Sequence, residues 1–147
     1  MVAQDPTWTV GAGIVADPTL GHGKLFKMGT IFWATFQPAF RPLGDRVSVL
    51  VDVLDGCVPS STVGLYREIE AHYSKLLPDI IRVVCSRIST PMEAVEQGFK
   101  LEAIDLRGHL RPSACVLHYR TDHARFEFDW YVRVSHNYRI EFCGERD

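Results

Sequence analysis

The sequence lacks an excess of basic residues and lacks any long apolar run. Sixteen Lys and Arg residues against eighteen Asp and Glu residues leave a formal net charge of −2. Proteins that bind nucleic acid usually carry a basic excess that neutralises phosphates, so we expect no nucleic-acid partner. No apolar stretch approaches the roughly 18 residues of a membrane helix, and the N-terminus MVAQDPTWTV has no signal-peptide pattern. These absences predict a cytoplasmic protein without a membrane partner.

The short motifs of cofactor, metal and nucleophile sites are missing as well. There is no G-x-x-x-x-G-K-[ST] loop, and GAGIVA lacks the third glycine of a dinucleotide fingerprint. There is no C-x-x-C pair and no H-E-x-x-H, and Ser60-Ser61 lacks a G-x-S-x-G context. Cys115 and His118 are three residues apart on a predicted strand, which places them on opposite faces. We therefore expect no cofactor, no metal and no catalytic residue.

What is present is the composition of an ordinary globular domain. The chain has 147 residues, of which 46% are hydrophobic and 23% are charged. Such a balance excludes disorder and fibrous repeats, and the length suits one hydrophobic core rather than two. We expect one domain over residues 1–147. Cys85 and Cys115 lie in apolar segments, which predicts buried, reduced thiols.

Hydrophobic periodicity predicts strands in the first third of the chain. Residues 1–22 contain two Asp-Pro pairs and are expected to form an ordered loop or a short strand. Residues 23–36 end in the apolar run IFWATF, which predicts a strand covered at least partly on both faces. Residues 45–56 alternate strictly, with four valines on one side, and predict a strand that closes in an Asp-Gly turn.

One long helix and a short one are predicted next. Apolar residues recur at spacings of three and four over residues 65–88, which indicates an amphipathic helix. Pro78 cannot donate to the carbonyl four residues earlier, so the helix should kink near Leu77 or split there. Thr90-Pro91-Met92-Glu93 is a capping box that predicts a short second helix ending at Gly98.

The last third predicts four strands joined by short turns. They cover residues 99–107, 113–121, 124–135 and 138–143. Strands connected this tightly are antiparallel. The expected fold class is therefore α+β, an antiparallel β-sheet with one long Pro-kinked helix packed on its apolar face, plus a short second helix. The other face of the sheet is expected to be partly solvated.

The third of these strands alternates between apolar and polar side chains. Its polar positions, together with those of the following strand, form a mixed-charge surface made of Arg125, Glu127, Asp129, Tyr131, Arg133, Arg139 and Glu141. Weak, solvated ion pairs would explain such a face without a function. Arg and Tyr are, however, enriched at the hot spots of protein interfaces. We predict that these seven residues, the predicted binding residues, contact a protein partner.

The order of the segments resembles a group of small bacterial α+β proteins. The residues that carry the resemblance are PTLGHGKL, the strand IFWATF, the valine-rich strand ending in Asp-Gly, the helix GLYREIEAHYSKLLPDIIRVV and the closing hairpin. The chain is similar to the immunity proteins of polymorphic or contact-dependent toxin systems. This resemblance implies a non-enzymatic protein that binds and neutralises a cognate toxin, and it transfers no site residue to a position of this sequence.

Two other functions stay open from the sequence. The first is a small-ligand-binding protein or enzyme, with a pocket between helix and sheet lined by Trp33, Tyr66, Tyr73 and Trp130 and with His118 as an acid or base. The second is a structural subunit that dimerises through an edge strand. The chain is thus expected to be a monomer or a homodimer.

Overall fold

A computed structural model describes residues 8–88, 99–107, 115–123 and 126–146. Eight strands form one sheet, and two short strands form a separate hairpin. The elements in chain order are β1 (Trp8–Asp17), β2 (Gly21–Met28), β3 (Ile31–Phe36), β4 (Ala39–Phe40), β5 (Asp45–Arg46), β6 (Ser48–Asp52), α1 (Ser60–Ile88), β7 (Phe99–Asp105), β8 (Cys115–His123), β9 (Phe126–Val134) and β10 (Ile140–Arg146). The expected α+β class is confirmed.

The large sheet consists of two antiparallel meanders that meet at a parallel pair. Its strand order is β1-β2-β3-β6-β7-β8-β9-β10. β6 and β7 are parallel, with Leu50 opposite Asp105, and the other described pairs in this sheet are antiparallel. The expectation of a purely antiparallel sheet is therefore wrong at the β6–β7 pair. The helix α1 carries the chain back along the sheet, so the strand after it starts at the same end as the strand before it.

The first third of the chain contains more strand than its sequence pattern indicates. Residues 8–17 form a ten-residue edge strand instead of a loop or a short strand. The segment expected to hold one strand forms two, because the chain reverses between Met28 and Ile31. Gly29 has a φ of 61° there, a conformation that glycine adopts without steric cost.

The long helix is one uninterrupted element of 29 residues with Pro78 inside it. The expected split at Pro78 is wrong, whereas a bend at that residue stays a prediction. The expected short helix at residues 90–98 lies outside the described residues. In the described part of the chain, no helix is apolar enough over a sufficient length to cross a membrane.

The hydrophobic core lies between α1 and one face of the sheet. Its buried residues alternate along the strands and recur at helical spacing along α1. The hydroxyl groups of Tyr73 on α1 and Tyr119 on β8 form a hydrogen bond of 2.8 Å. Phe40 packs edge-on against Tyr73, with ring centroids 5.1 Å apart. The four valines of the alternating segment, Val47, Val49, Val51 and Val53, are all buried as predicted.

Two glycines allow a test of how closely β2 and β3 are packed. A Cβ atom added at Gly23 on β2 would lie 2.8 Å from the Phe36 ring and 2.8 Å from the Thr35 carbonyl oxygen. A Cβ atom added at Gly64 on α1 would meet nothing within 4 Å. We expect Gly23→Ala to lower the free energy of unfolding by about 1–3 kcal/mol through overpacking. Gly64→Ala, its matched control, should raise it by about 0.5–1 kcal/mol. Urea denaturation measures both, and a neutral Gly23→Ala would contradict the close approach of β2 and β3.

A second test concerns alkaline pH. Burial raises the pKa of the Cys115 thiol to about 12, with a smaller contribution from the charge of Asp105. Burial likewise raises the pKa of Tyr73 to about 12. The unfolded chain loses these protons at lower pH than the folded chain, so the free energy of unfolding should fall as the pH rises above about 9.

Cys115→Ala should make the free energy of unfolding depend less on pH. Between about pH 8 and pH 10, the variant should lose about 1 kcal/mol less of this free energy than wild type. Cys57→Ala, which removes an exposed cysteine, is the control and is expected to keep the wild-type slope. Chemical denaturation across this pH range measures the slopes. Equal slopes for wild type and Cys115→Ala would show that Cys115 does not contribute.

Candidate functional site

The face of the sheet opposite α1 is the candidate site, and we name it the open face. Within the described ranges, α1 is the single helix, and its buried residues pack on the other face. Strand register assigns to the open face the residues Phe26, Trp33, Thr35, Ser48, Leu50, Asp52, Ala103, Asp105, Val116, His118, Arg120, Tyr131 and Arg133. The open face therefore extends from β2 to β9, which is five strand spacings or about 24 Å.

Side chains of the open face shield one another from solvent. Most of those between β3 and β9 are half-buried, and Asp105 and Val116 are buried. The charged side chains of Arg120 and Arg133, on β8 and β9, are exposed, as in a solvated sheet face. The open face thus has a half-buried apolar and aromatic part and an exposed charged part.

An aromatic and charged group, which we name the Trp33 cluster, lies on the part of this face formed by β2, β3 and the end of β7. It consists of Phe26, Trp33, Asp105 and Arg107. The rings of Phe26 and Trp33 stack with centroids 4.5 Å apart and an interplanar angle of 16°. The guanidinium carbon of Arg107 lies 4.8 Å from the centroid of the Trp33 ring. This distance is within the range of a cation–π contact, so the guanidinium is held by a second interaction besides its ion pair.

The ion pair of this cluster joins a buried carboxylate to a partly exposed guanidinium. Arg107 donates from Nε to Asp105 Oδ1 at 2.9 Å and from a terminal nitrogen to Asp105 Oδ2 at 2.8 Å. The Arg107 backbone N–H also donates to Asp105 Oδ1, at 3.1 Å. A buried carboxylate is costly unless its oxygens accept hydrogen bonds, and three donors satisfy this one. The arrangement fixes the Arg107 guanidinium on the surface of the sheet.

Four of the predicted binding residues occupy positions on the open face. Tyr131 is half-buried and lies in register with His118, while Arg133 is exposed and lies in register with Val116. The backbone positions of Glu127 and Asp129 share their face by strand register, and the predicted alternation is confirmed for residues 130–134. Asp129 lies in register with Arg120 on β8 and with Arg146 on β10.

The other three predicted binding residues are placed differently. Arg125 lies outside the described residues. Arg139 precedes β10 and belongs to the turn, where its N–H donates to Ser135 Oγ at 3.1 Å. Glu141 is exposed and lies at a β-bulge between Ile140 and Phe142. The bulge puts the position of Phe142 in register with Arg133, so the expectation that β10 continues the apolar alternation through Phe142 is wrong.

The turn before β10 packs against the helix. The Tyr138 ring stacks on His72 with centroids 4.2 Å apart, and its hydroxyl donates to a Glu68 carboxylate oxygen at 3.1 Å. Arg139 therefore lies beside a turn that contacts α1, on the other side of the sheet from the Trp33 cluster. Among the predicted binding residues that the structure describes, Arg139 therefore lies apart from the four positions on the open face.

The expected pocket between helix and sheet is divided by the sheet itself. Tyr66, Tyr73 and Trp130 are buried in the core on the α1 side, whereas Trp33 and His118 lie on the open face. These residues cannot line one cavity. Among the residues that the structure describes, no three His, Cys, Asp or Glu side chains come together as metal ligands.

Sequence reasoning missed the Trp33 cluster. Trp33 and Arg107 are brought together by the pairing of β3, β6 and β7, which no local pattern indicates. The spacing of Asp105 and Arg107 did carry information, because residues two apart on a strand share a face. Their opposite charges at that spacing could have been recognised as a pair.

The contribution of the bidentate Arg107–Asp105 ion pair to stability can be tested by a conservative substitution. Arg107→Lys keeps the charge but loses the bidentate geometry and the flat contact with Trp33. We expect it to lower the free energy of unfolding by about 1–2 kcal/mol. Arg120→Lys is the matched control, since Arg120 is exposed and 3.8 Å from Glu102, and it should change stability by less than about 0.5 kcal/mol. Equal effects of the two substitutions, measured by urea denaturation, would contradict a special role for Arg107.

Comparison of the chain with protein-family models, with curated proteins and with solved structures finds no match. No function is therefore transferred to this chain from a relative. The open face, with its ordered Trp33 cluster and the Tyr131 and Arg133 positions, is the feature on which a functional proposal depends.

Proposed function

We propose that this protein is a non-enzymatic binding domain of the immunity type, which neutralises a bacterial toxin in the cytoplasm by covering part of its surface. The observation that carries the proposal is the open face, where half-buried aromatic and arginine side chains are held in defined positions. Trp33, Arg107 and Tyr131 belong to the three residue types most enriched at interface hot spots.

Preorganisation of these side chains supports binding. Arg107 is held by Asp105 and by the Trp33 ring, and Trp33 is stacked on Phe26. A side chain that is already ordered loses less conformational entropy when a partner binds. The Trp33 cluster thus favours tight association over a loose, solvated contact.

The size of the open face also suits a protein partner. A standard interface buries about 800 Å² on each partner, which corresponds to a patch about 30 Å across. The open face extends about 24 Å from β2 to β9, which accommodates most of a patch of that size. A small molecule would contact only a fraction of a surface this wide, since small ligands are normally bound in concave pockets.

Charge adds selectivity to this surface. The aromatic part lies on β2 and β3, while Arg120, Asp129 and Arg133 occupy positions on β8 and β9. Charges of both signs at fixed register positions favour a partner with the complementary pattern and disfavour others. An immunity protein, which must recognise one toxin among similar ones, requires such discrimination.

The test exchanges two charges without changing the net charge. The wild-type chain is co-expressed with the product of the adjoining open reading frame, and growth of the host and the Kd of the complex are measured. We expect wild type to restore growth, and Asp129→Arg with Arg133→Glu to weaken binding by at least about 100-fold.

The control is the same exchange on the helix, Asp79→Arg with Arg82→Glu, at an exposed pair 3.1 Å apart. It should change the Kd by less than about threefold. Thermal melting of both variants checks that they fold. An adjoining product that is neither toxic nor bound would contradict the immunity function, and equal losses in both variants would contradict the placement on the open face.

A further inference from the structure

A concave surface lies on the α1 side of the sheet, separate from the open face. It is an open groove of about 1020 Å³ between the β1–β2 turn, residues 38–42 and the residues of α1 from 66 to 71. Arg41, Arg46 and Arg67 line this groove together with one carboxylate, that of Glu70. The groove therefore carries an excess of two positive charges in a chain whose net charge is −2.

Two of these arginines are anchored by neutral acceptors. Arg67 donates to Thr19 Oγ1 at 2.7 Å, and Arg46 donates to the Gln37 carbonyl oxygen at 2.7 Å. Among the described residues, no carboxylate lies within 4.0 Å of the three guanidinium groups. Each guanidinium has five N–H donors, so each anchored one keeps most of its donors for a ligand.

Glu70 offsets one of the three positive charges of the groove. One of its carboxylate oxygens accepts a hydrogen bond from the backbone N–H of Arg41 at 3.2 Å, which holds the carboxylate against the chain. Glu70 also lies near the buried Tyr66, where burial and the Glu70 charge raise the pKa of the phenol to about 12. The remaining charge of the groove is positive.

The walls of the groove are held in place by the core. Phe40, next to Arg41, packs against both Tyr66 and Tyr73. The turn that carries Thr19 is closed by Asp17, whose side chain accepts hydrogen bonds from the N–H groups of Thr19 and Leu20 at 2.8 and 2.9 Å. The three arginines thus lie on two segments, the β4–β5 hairpin and α1, and the side chains of Arg46 and Arg67 are each held by one hydrogen bond.

We infer that this groove binds a phosphorylated small molecule with two or more negative charges. A guanidinium fork matches the spacing of phosphate oxygens, and a tetrahedral phosphoryl group accepts hydrogen bonds from several directions at once. A carboxylate also matches a guanidinium fork, but it carries one negative charge on two oxygens, whereas a phosphoryl group carries up to two negative charges on three oxygens. The inference concerns a different surface from the proposed toxin-binding face, so either can fail without the other.

The test measures binding of pyrophosphate to the full chain by isothermal titration calorimetry at about 50 mM NaCl, where Coulomb interactions are weakly screened. Wild type should bind pyrophosphate, and citrate should bind at least about tenfold more weakly. The double variant Arg46→Gln with Arg67→Gln should weaken pyrophosphate binding by at least about tenfold. Its matched control, Arg82→Gln with Arg120→Gln, removes two exposed arginines outside the groove and should leave the Kd unchanged.

A third variant distinguishes a binding role from misfolding. Glu70→Gln removes the one negative charge of the groove and retains an acceptor for the Arg41 N–H, so it should bind pyrophosphate several-fold more tightly. Absence of pyrophosphate binding, equal losses in the two arginine pairs, or citrate binding as tight as that of pyrophosphate would overturn the inference. Tighter binding of poly-glutamate than of pyrophosphate would overturn it in favour of an acidic protein segment.

Discussion

The contact among Phe40, Tyr73 and Tyr119 ties together the parts of the structure on which both candidate surfaces depend. Tyr73 brings α1 onto the sheet through its hydroxyl bond to Tyr119, and Phe40 attaches the β4–β5 hairpin to the same helix. Buried hydroxyl groups need partners, and these two satisfy one another within an otherwise apolar layer. Because α1 is committed to one face in this way, the other face is left to the Trp33 cluster, and the hairpin is left beside the helix as the wall of the arginine groove.

The two surfaces differ in the way they hold charge. On the open face, the charge of Arg107 is balanced by the buried carboxylate of Asp105, and the guanidinium is held in a fixed geometry. In the groove, Arg46 and Arg67 are anchored by neutral oxygens, so their positive charge is not cancelled. The first arrangement favours a large, shape-matched protein partner, and the second favours a small ligand that supplies the missing negative charge.

Hydrophobic residues that recur at every second position, or at helical spacing, predicted most of the strands and the long helix. The valines of β6, the alternation along β9 and the buried stripe of α1 follow from side-chain directions within each element. Wherever a prediction depended on two elements at once, it was less successful. The parallel pairing of β6 with β7, the reversal between β2 and β3, and the bulge at Glu141 depend on connection and register. For the candidate site, the alternation placed Tyr131 and Arg133 on the correct face, whereas it missed Trp33, Arg107 and the groove.

The amino-acid sequence by itself determined the α+β class, the apolar faces of β6, β9 and α1, and the alternating charges of β9, because these depend on residues that are near one another in the chain. Tertiary structure alone decided which distant residues meet. Trp33 reaches Arg107 through the order of β3, β6 and β7, and Arg67 reaches Thr19 across 48 residues. A local pattern specifies the direction in which a side chain points. The strand order and the packing of the helix then determine what lies there.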